Sequence, residues 1–216
     1  MKPEEREQKL RAVAQEIIAC KACVLHQRRR KAVPGDGSMH ADLMFIGEGP
    51  GQYEDEQGLP FVGKSGQYLD ELLRMVGLNR QEVFITNVVK CRPPNNRDPL
   101  PNEIEACKSY LDRQIELINP ILIATLGRYS MARYFPNGKI TQIHGRPKFD
   151  NGRIYYPLFH PAAVLRNPDL RPAMEADFRR MIDLVKEAKS KPAPSDPQPE
   201  KKDEDPPTPP KQLSLF

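Results

Sequence analysis

Four short apolar runs constrain this chain more than any other feature of its sequence: Leu43 to Ile46, Val83 to Val89, Ile121 to Leu126, and Ile154 to Phe159. They are rich in Ile, Val, Leu and aromatic residues, lack clean polar alternation, and are bounded by Gly, Pro or Asn. A strand with water on one face alternates apolar with polar residues, so runs of this kind call for strands covered on both faces. Helical periodicity fills the intervals. Leu10, Val13 and Ile17 share one face of an N-terminal helix; Leu69, Leu72, Leu73 and Val76 line a second; Ile104, Leu111, Ile115 and Ile118 line a third. A fourth begins near Gly127, and Phe178, Met181, Ile182 and Val185 mark the last. This alternation predicts an α/β fold, a three-layer sandwich with a four-stranded, mainly parallel central sheet flanked by helices.

The chain has 216 residues, enough for one well-buried domain and short for two. From Ser190 onward eight prolines fall among 27 residues with interleaved charges, a composition unable to bury enough apolar surface to offset the entropy of ordering. The expected organisation is a folded domain over residues 1–189 and a disordered tail over 190–216. No apolar stretch approaches the roughly 20 residues a membrane helix needs, and MKPEEREQKL lacks the apolar core of a signal peptide, so a cytoplasmic protein is expected. The net charge of +4 permits an anionic partner without requiring one.

Open parallel sheets bind ligands outside the carboxyl ends of their strands. The segments that fall there carry the chemistry: Gly47 to Gly63 after the first run, Asn87 to Arg92 at the second, Gly127-Arg128 after the third, and His160-Pro161 after the fourth. The first, GEGPGQYEDEQGLPFVG, begins like a dinucleotide-binding turn, with Gly47 and Gly49 in place. Gln52 occupies the position of the third required glycine, which excludes that reading. Phe61, Asn87 and His160 instead supply an aromatic plate, a carboxamide and an imidazole. These are the parts that grip a flat heterocycle by its face, its edge and its carbonyl.

All four cysteines fit one pattern: Cys20-x2-Cys23, then Cys91 at a strand end and Cys107, separated from it by fifteen residues. A close pair on a turn holds two corners of a site, and a second pair brought in by the fold closes it. Thiolate count alone leaves zinc and an iron-sulfur cluster equally open. With all four ligands from protein, the centre is expected to be structural.

Three blocks, GEGPGQYEDEQGLPFVGKSGQYL, ITNVVKCRPPNNRDPLPNEIEAC and FHPAAVLRNP, resemble the hallmark blocks of the family 4 uracil-DNA glycosylases. The cysteine spacing is similar to that of their 4Fe-4S ligands, and the resemblance runs from Cys20 to Asp183. It implies a monomeric enzyme that flips uracil out of single- or double-stranded DNA, cuts its N-glycosidic bond and leaves an abasic site, and it selects the 4Fe-4S cluster over zinc. Carried over, Phe61 stacks on the base, Asn87 reads its N3–H and O4 edge, and His160 donates toward O2. Gly47, Glu48 and Gly49 bring backbone N–H groups to O2, Glu48 holds the attacking water, and Glu54 closes the pocket against the thymine methyl. Gly49 stands where family 1 enzymes have a catalytic Asp, so leaving-group stabilisation is expected to carry the reaction. Gln52 stands where many members have an acid. Residues 92–106 lack the histidine through which a related branch bonds covalently to DNA, so ordinary turnover is expected. Two further readings remain: a glycosylase for another deaminated base such as hypoxanthine, and a non-catalytic, cluster-bearing DNA-binding protein.

Val164, Leu165 and Arg166 follow His160 as expected DNA contacts, an apolar wedge beside a phosphate-binding guanidinium. Arg128, Arg146 and the run Arg28 to Lys31 are further phosphate candidates. The chain ends in PPKQLSLF, where Gln212, Leu213, Leu215 and Phe216 resemble the bacterial sliding-clamp-binding peptide; such a tether would hold a repair enzyme at the nucleoid.

Overall fold

Successive side chains of a strand point to opposite faces of its sheet, and here the buried residues of the central strands divide by parity. Leu43, Phe45, Ile85, Leu122, Ala124, Ile154 and Tyr156 join one core cluster, whereas Met44, Ile46, Phe84 and Ile123 join another. Each fully buried Leu, Ile or Phe contributes on the order of 1.5–3 kcal/mol. Burial on both faces is why these strands read as unbroken apolar runs.

The computed structural model describes residues 2–190. Its six strands are β1 (Asp36–Gly37), β2 (Leu43–Gly47), β3 (Phe84–Asn87), β4 (Leu122–Leu126), β5 (Lys148–Asp150) and β6 (Arg153–Leu158). They form one sheet in the order β1-β3-β2-β4-β6-β5. The four strands expected from the sequence, β3-β2-β4-β6, are its parallel centre, and two short antiparallel strands extend it to six. The addition at one edge has a local cause. Asn151 and Gly152 both adopt left-handed backbone (φ 49° and 72°), the turn that Asn-Gly favours between hairpin strands, and it folds β5 back onto β6.

The helices are α1 (Pro3–Ala19), α2 (Gln52–Gln57), α3 (Lys64–Met75), α4 (Pro101–Ile118), α5 (Arg128–Ala132), α6 (Ile140–Ile143), α7 (Pro161–Arg166) and α8 (Arg171–Ser190). α3 and α8 cover the face bearing Phe45 and Ile85; α1 and α4 cover the face bearing Met44 and Phe84. The short helices α2, α6 and α7 are not visible in the periodicity, because six residues or fewer do not complete two turns. Among the described residues, no helix is long and apolar enough to cross a membrane. The expected tail beyond Ser190, with Gln212, Leu213, Leu215 and Phe216, lies outside the described residues.

Candidate active site

The parallel register sets Gly47, the last residue of β2, opposite Asn87, the last of β3. A side chain at Gly47 has nowhere to go: a Cβ there would lie 2.4 Å from Asn87 Oδ1 and 2.7 Å from the Phe61 ring. The glycine thus lets the carboxamide and the aromatic plate meet over a bare backbone. The Asn87 Oδ1 is fully buried and has no hydrogen-bond partner. Leaving such an acceptor unpaired costs about 1–3 kcal/mol, recovered when a ligand N–H reaches it.

Phe61 is buried and adopts left-handed backbone, φ 52°, unusual for a bulky residue and costing on the order of 1–3 kcal/mol. Polar groups hold it there from both sides. Glu54 Oε1 accepts from the N–H groups of Val62 and Gly63, each at 2.9 Å, while its Oε2 accepts from Gly51 N at 3.1 Å. On the other side Arg80 donates to the carbonyls of Pro60 (2.6 Å) and Phe61 (3.0 Å) and pairs with Asp70 at 2.9 Å. Gly66, on the first turn of α3, touches the Phe61 carbonyl so closely that a Cβ would fall 1.8 Å from it. The carboxylate of Glu54, expected to face the 5-position of the base, is therefore committed to three backbone amides and ties the two ends of the 47–63 loop.

His160 stands at the start of α7, its ring 5.7 Å from that of Phe61. The Ala162 N–H, one of the free donors of the helix's first turn, donates to His160 Nδ1 at 3.1 Å. That bond makes Nδ1 the acceptor and leaves the proton on Nε2. Burial, with the positive charge of Arg166 nearby, pushes the pKa of the ring down to about 4, so the imidazole is neutral at physiological pH. Gly127, at φ 90°, packs against the histidine's Cβ and gives the ring room.

Glu48 is half-buried, and burial followed by repulsion from Asp98 raises its pKa, with Arg128 opposing. Gly49 packs against Val89. Arg128 donates to Asp98 and lies over the Tyr129 ring, so that cation is already paired. Of the three expected DNA contacts, Val164 is buried in the core (1% exposed), and Leu165 (41%) and Arg166 stand at the surface. A buried valine has no free surface to offer a base stack, which leaves Leu165 as the exposed apolar side chain.

The four cysteines gather from distant positions: Cys20 follows α1, Cys23 precedes a short 3-10 turn, Cys91 follows β3, and Cys107 lies within α4. All four line one small pocket, with Ile17, Lys90 and Tyr110. Donors reach two of the sulfurs: Ala22 N–H to Cys20 at 3.4 Å and Arg29 Nη1 to Cys91 at 3.0 Å. Burial raises the Cys91 thiol and pushes Cys107 up to about 11, as expected of thiols that ionise only against a compensating positive charge. Among the described residues no three His, Cys, Asp or Glu side chains converge as a single metal ion requires. The four cysteines line one pocket and N–H donors reach Cys20 and Cys91 there, a donor set that suits a thiolate-bound group.

Sequence reasoning did not anticipate Arg80, the tautomer-setting Ala162 N–H, or Lys90, which is 1% exposed with a pKa that burial pulls down to about 7. A lone lysine inside the strand-end run NVVKC was the one signal available.

The sequence model of the uracil DNA glycosylase superfamily matches residues 34–185. The chain is 50% identical over 188 residues to a type-4 uracil-DNA glycosylase of Saccharolobus solfataricus, covering 82% of this chain and 85% of that protein. It is 48% identical over 186 residues to one from Sulfurisphaera tokodaii (82% and 84% covered), and 43% identical over 187 residues to one from Thermotoga maritima (84% and 97% covered).

The histidine makes a signed prediction. Between pH 6.5 and about 4 the unfolded chain binds a proton that folded His160 refuses, so its contribution to stability is fully present above pH 6.5 and is lost as pH falls through that window. At pH 5 the loss is about 2 kcal/mol. Urea melts at pH 7 and pH 5 should show His160→Gln losing less stability than the parent chain by about that amount; equal losses would exclude a buried neutral histidine.

Proposed function

This chain belongs to the type-4 branch of the uracil-DNA glycosylase superfamily, and on that footing we propose that it releases uracil from DNA through the pocket formed by Gly47, Phe61, Asn87 and His160. The product is an abasic site, the first intermediate of base excision repair. The observation that carries the reading is the buried, unpartnered Oδ1 of Asn87 beside an aromatic ring. Uracil offers an N3–H donor and an O4 acceptor on one edge, the complement of a carboxamide. Cytosine offers the reverse, and a mismatched amide in a buried pocket rejects it.

The flipped base stacks on Phe61 and meets Asn87 with its edge. As the C1′–N1 bond breaks, its electron pair moves onto the pyrimidine ring and negative charge develops at O2. The His160 Nε2–H, held by the Ala162 N–H, donates there as a neutral imidazole, joined by the backbone N–H groups of Glu48 and Gly49. One such preorganised donor is worth about 2.7–4 kcal/mol of barrier. The sugar becomes oxocarbenium-like, and a water held by the Glu48 carboxylate adds to C1′ and passes its proton to that carboxylate. Gly49 offers no carboxylate, so leaving-group stabilisation outweighs base catalysis in this pocket. Exclusion of thymine falls to the loop that Glu54 ties rather than to its carboxylate, whose oxygens are already engaged.

Cys20, Cys23, Cys91 and Cys107 would hold a 4Fe-4S cluster. With every external position taken by a protein thiolate, such a cluster supplies cross-linking rather than bond chemistry. It would fasten the end of α1 and the segment after β3 to α4, behind the strand that ends in Asn87. At the DNA surface Leu165 wedges into the stack as the nucleotide leaves, and Arg166 meets a phosphate. The terminal Gln212, Leu213, Leu215 and Phe216 dock on a sliding clamp.

Oligonucleotides carrying uracil, hypoxanthine or thymine, incubated with the protein and treated with alkali, should break only at uracil. Breaks confined to hypoxanthine would replace the substrate, and no breaks would end the enzymatic reading. Asn87→Ala should lose activity, and His160→Ala should slow excision by about 10²–10³-fold. Purified protein should be coloured, with roughly four irons per chain; a colourless zinc protein would overturn the cluster. Deleting residues 212–216 should abolish clamp pull-down and leave excision on short oligonucleotides unchanged, whereas persistent pull-down would remove the tail from that role.

A further inference from the structure

Lys90 lies on the far side of β3 from the base pocket, and its side chain is almost wholly inaccessible to water, 1% exposed. A buried ammonium is costly unless each of its N–H bonds finds an acceptor. Its Nζ meets three: Thr86 Oγ1 at 2.6 Å, Gln114 Oε1 at 2.7 Å and the main-chain carbonyl of Asn87 at 2.9 Å. The shortest contacts set the polarity of this network. Thr86 Oγ1 and Gln114 Nε2 both donate to the Pro34 carbonyl, at 2.9 and 2.8 Å, which turns their lone pairs toward the lysine. None of the three acceptors is a carboxylate, so the group is held by dipoles and the choice of partners is geometric rather than a salt bridge.

We propose that Lys90 is a positioning residue for base recognition: from behind the sheet it holds the peptide carbonyl of Asn87 and so fixes the direction in which the carboxamide faces the base. The same residue's carbonyl accepts from the Val33 N–H at 2.8 Å, Cys91 follows it in the chain, and it lines the pocket shared by the four cysteines. Lys90 therefore joins the base-reading strand end to the cysteine centre through a single residue. Strand parity makes the link possible, since Thr86 faces α4 while Asn87 faces the pocket. An amide left without that anchor can rotate and shift, and a displacement of about 1 Å at a recognition group is enough to lose much of the binding it provides. Lys90 touches neither base nor DNA. Its effect runs through Asn87 alone, and the inference rests on the reading of Asn87 as the uracil-binding amide.

The test compares Lys90→Met, Lys90→Gln, Asn87→Ala and the double variant Lys90→Met/Asn87→Ala as full-length proteins, with free uracil as the binding probe and uracil oligonucleotide as substrate. Lys90→Met should bind uracil at least tenfold more weakly and lower kcat at least tenfold with KM for the oligonucleotide unchanged, while the visible spectrum and iron content stay those of the parent. Lys90→Gln, which keeps a donor, should recover part of both losses. In the Asn87→Ala background Lys90→Met should add nothing to the loss of uracil affinity. Parental uracil affinity in Lys90→Met, or additive losses in the double variant, would overturn the proposal. Loss of the visible band or of folding in both Lys90 variants would also overturn it, by assigning the residue to the cysteine centre. If Asn87→Ala itself binds uracil normally, the reading of Asn87 fails, and that outcome is separate from the behaviour of Lys90.

Discussion

The site depends on the contact at the carboxyl ends of β2 and β3, where the bare backbone of Gly47 lies against the Asn87 carboxamide and the Phe61 ring. Any side chain at position 47 would displace both groups. The contact also explains the strain nearby. To bring its ring over Gly47, Phe61 takes a left-handed backbone that a bulky residue adopts only when its surroundings insist, and the carboxylate of Glu54 and guanidinium of Arg80 hold the peptide groups on either side. The opening loop is thus a rigid wall: one acidic side chain closes its two ends into a ring around α2.

The sheet also separates two kinds of work. Its α3 and α8 face supports Phe61 and the start of α7, and its α1 and α4 face carries the cysteine pocket and the buried lysine network. Neighbouring residues of one strand serve both, with Thr86 turned one way and Asn87 the other. Two polar groups far from their ordinary solution behaviour, His160 and Lys90, lie on opposite sides of this division. In each, burial disfavours the charged form, and hydrogen bonds to fixed backbone or side-chain dipoles determine the orientation. Preorganisation here comes from dipoles already satisfied before any ligand arrives.

Much of this was legible in the residues themselves. The four central strands and five main helices follow from apolar runs and periodicity, because burial on both faces of a parallel sheet leaves an unmistakable pattern. All four cysteines fit one spacing pattern in the sequence, and the fold brings them to the lining of one pocket. The edge strand β5 was legible in principle, through Asn151-Gly152, and was passed over because three residues make too short a run to register. α7 was hidden for the same reason, although Pro161 after a capping residue marks its start. Val164 shows the limit of adjacency: it stands next to Leu165 in the chain, yet the turn of α7 sends one side chain into the core and the other to the surface.

By itself the sequence determined the four central strands, the helices that cover both their faces, and which residue types stand at the carboxyl edge, since these depend on local hydrophobicity and on the side-chain period of strands. The tertiary structure alone decided what those residues do to one another. That Glu54 is a tie, that His160 carries its proton on Nε2 and that Lys90 is buried against the Asn87 carbonyl depend on partners two to nine residues away, and that Asn87 keeps an unpaired oxygen depends on how its surroundings pack. Hydrogen bonds require positions within a few tenths of an ångström, and such positions exist only once the chain has packed.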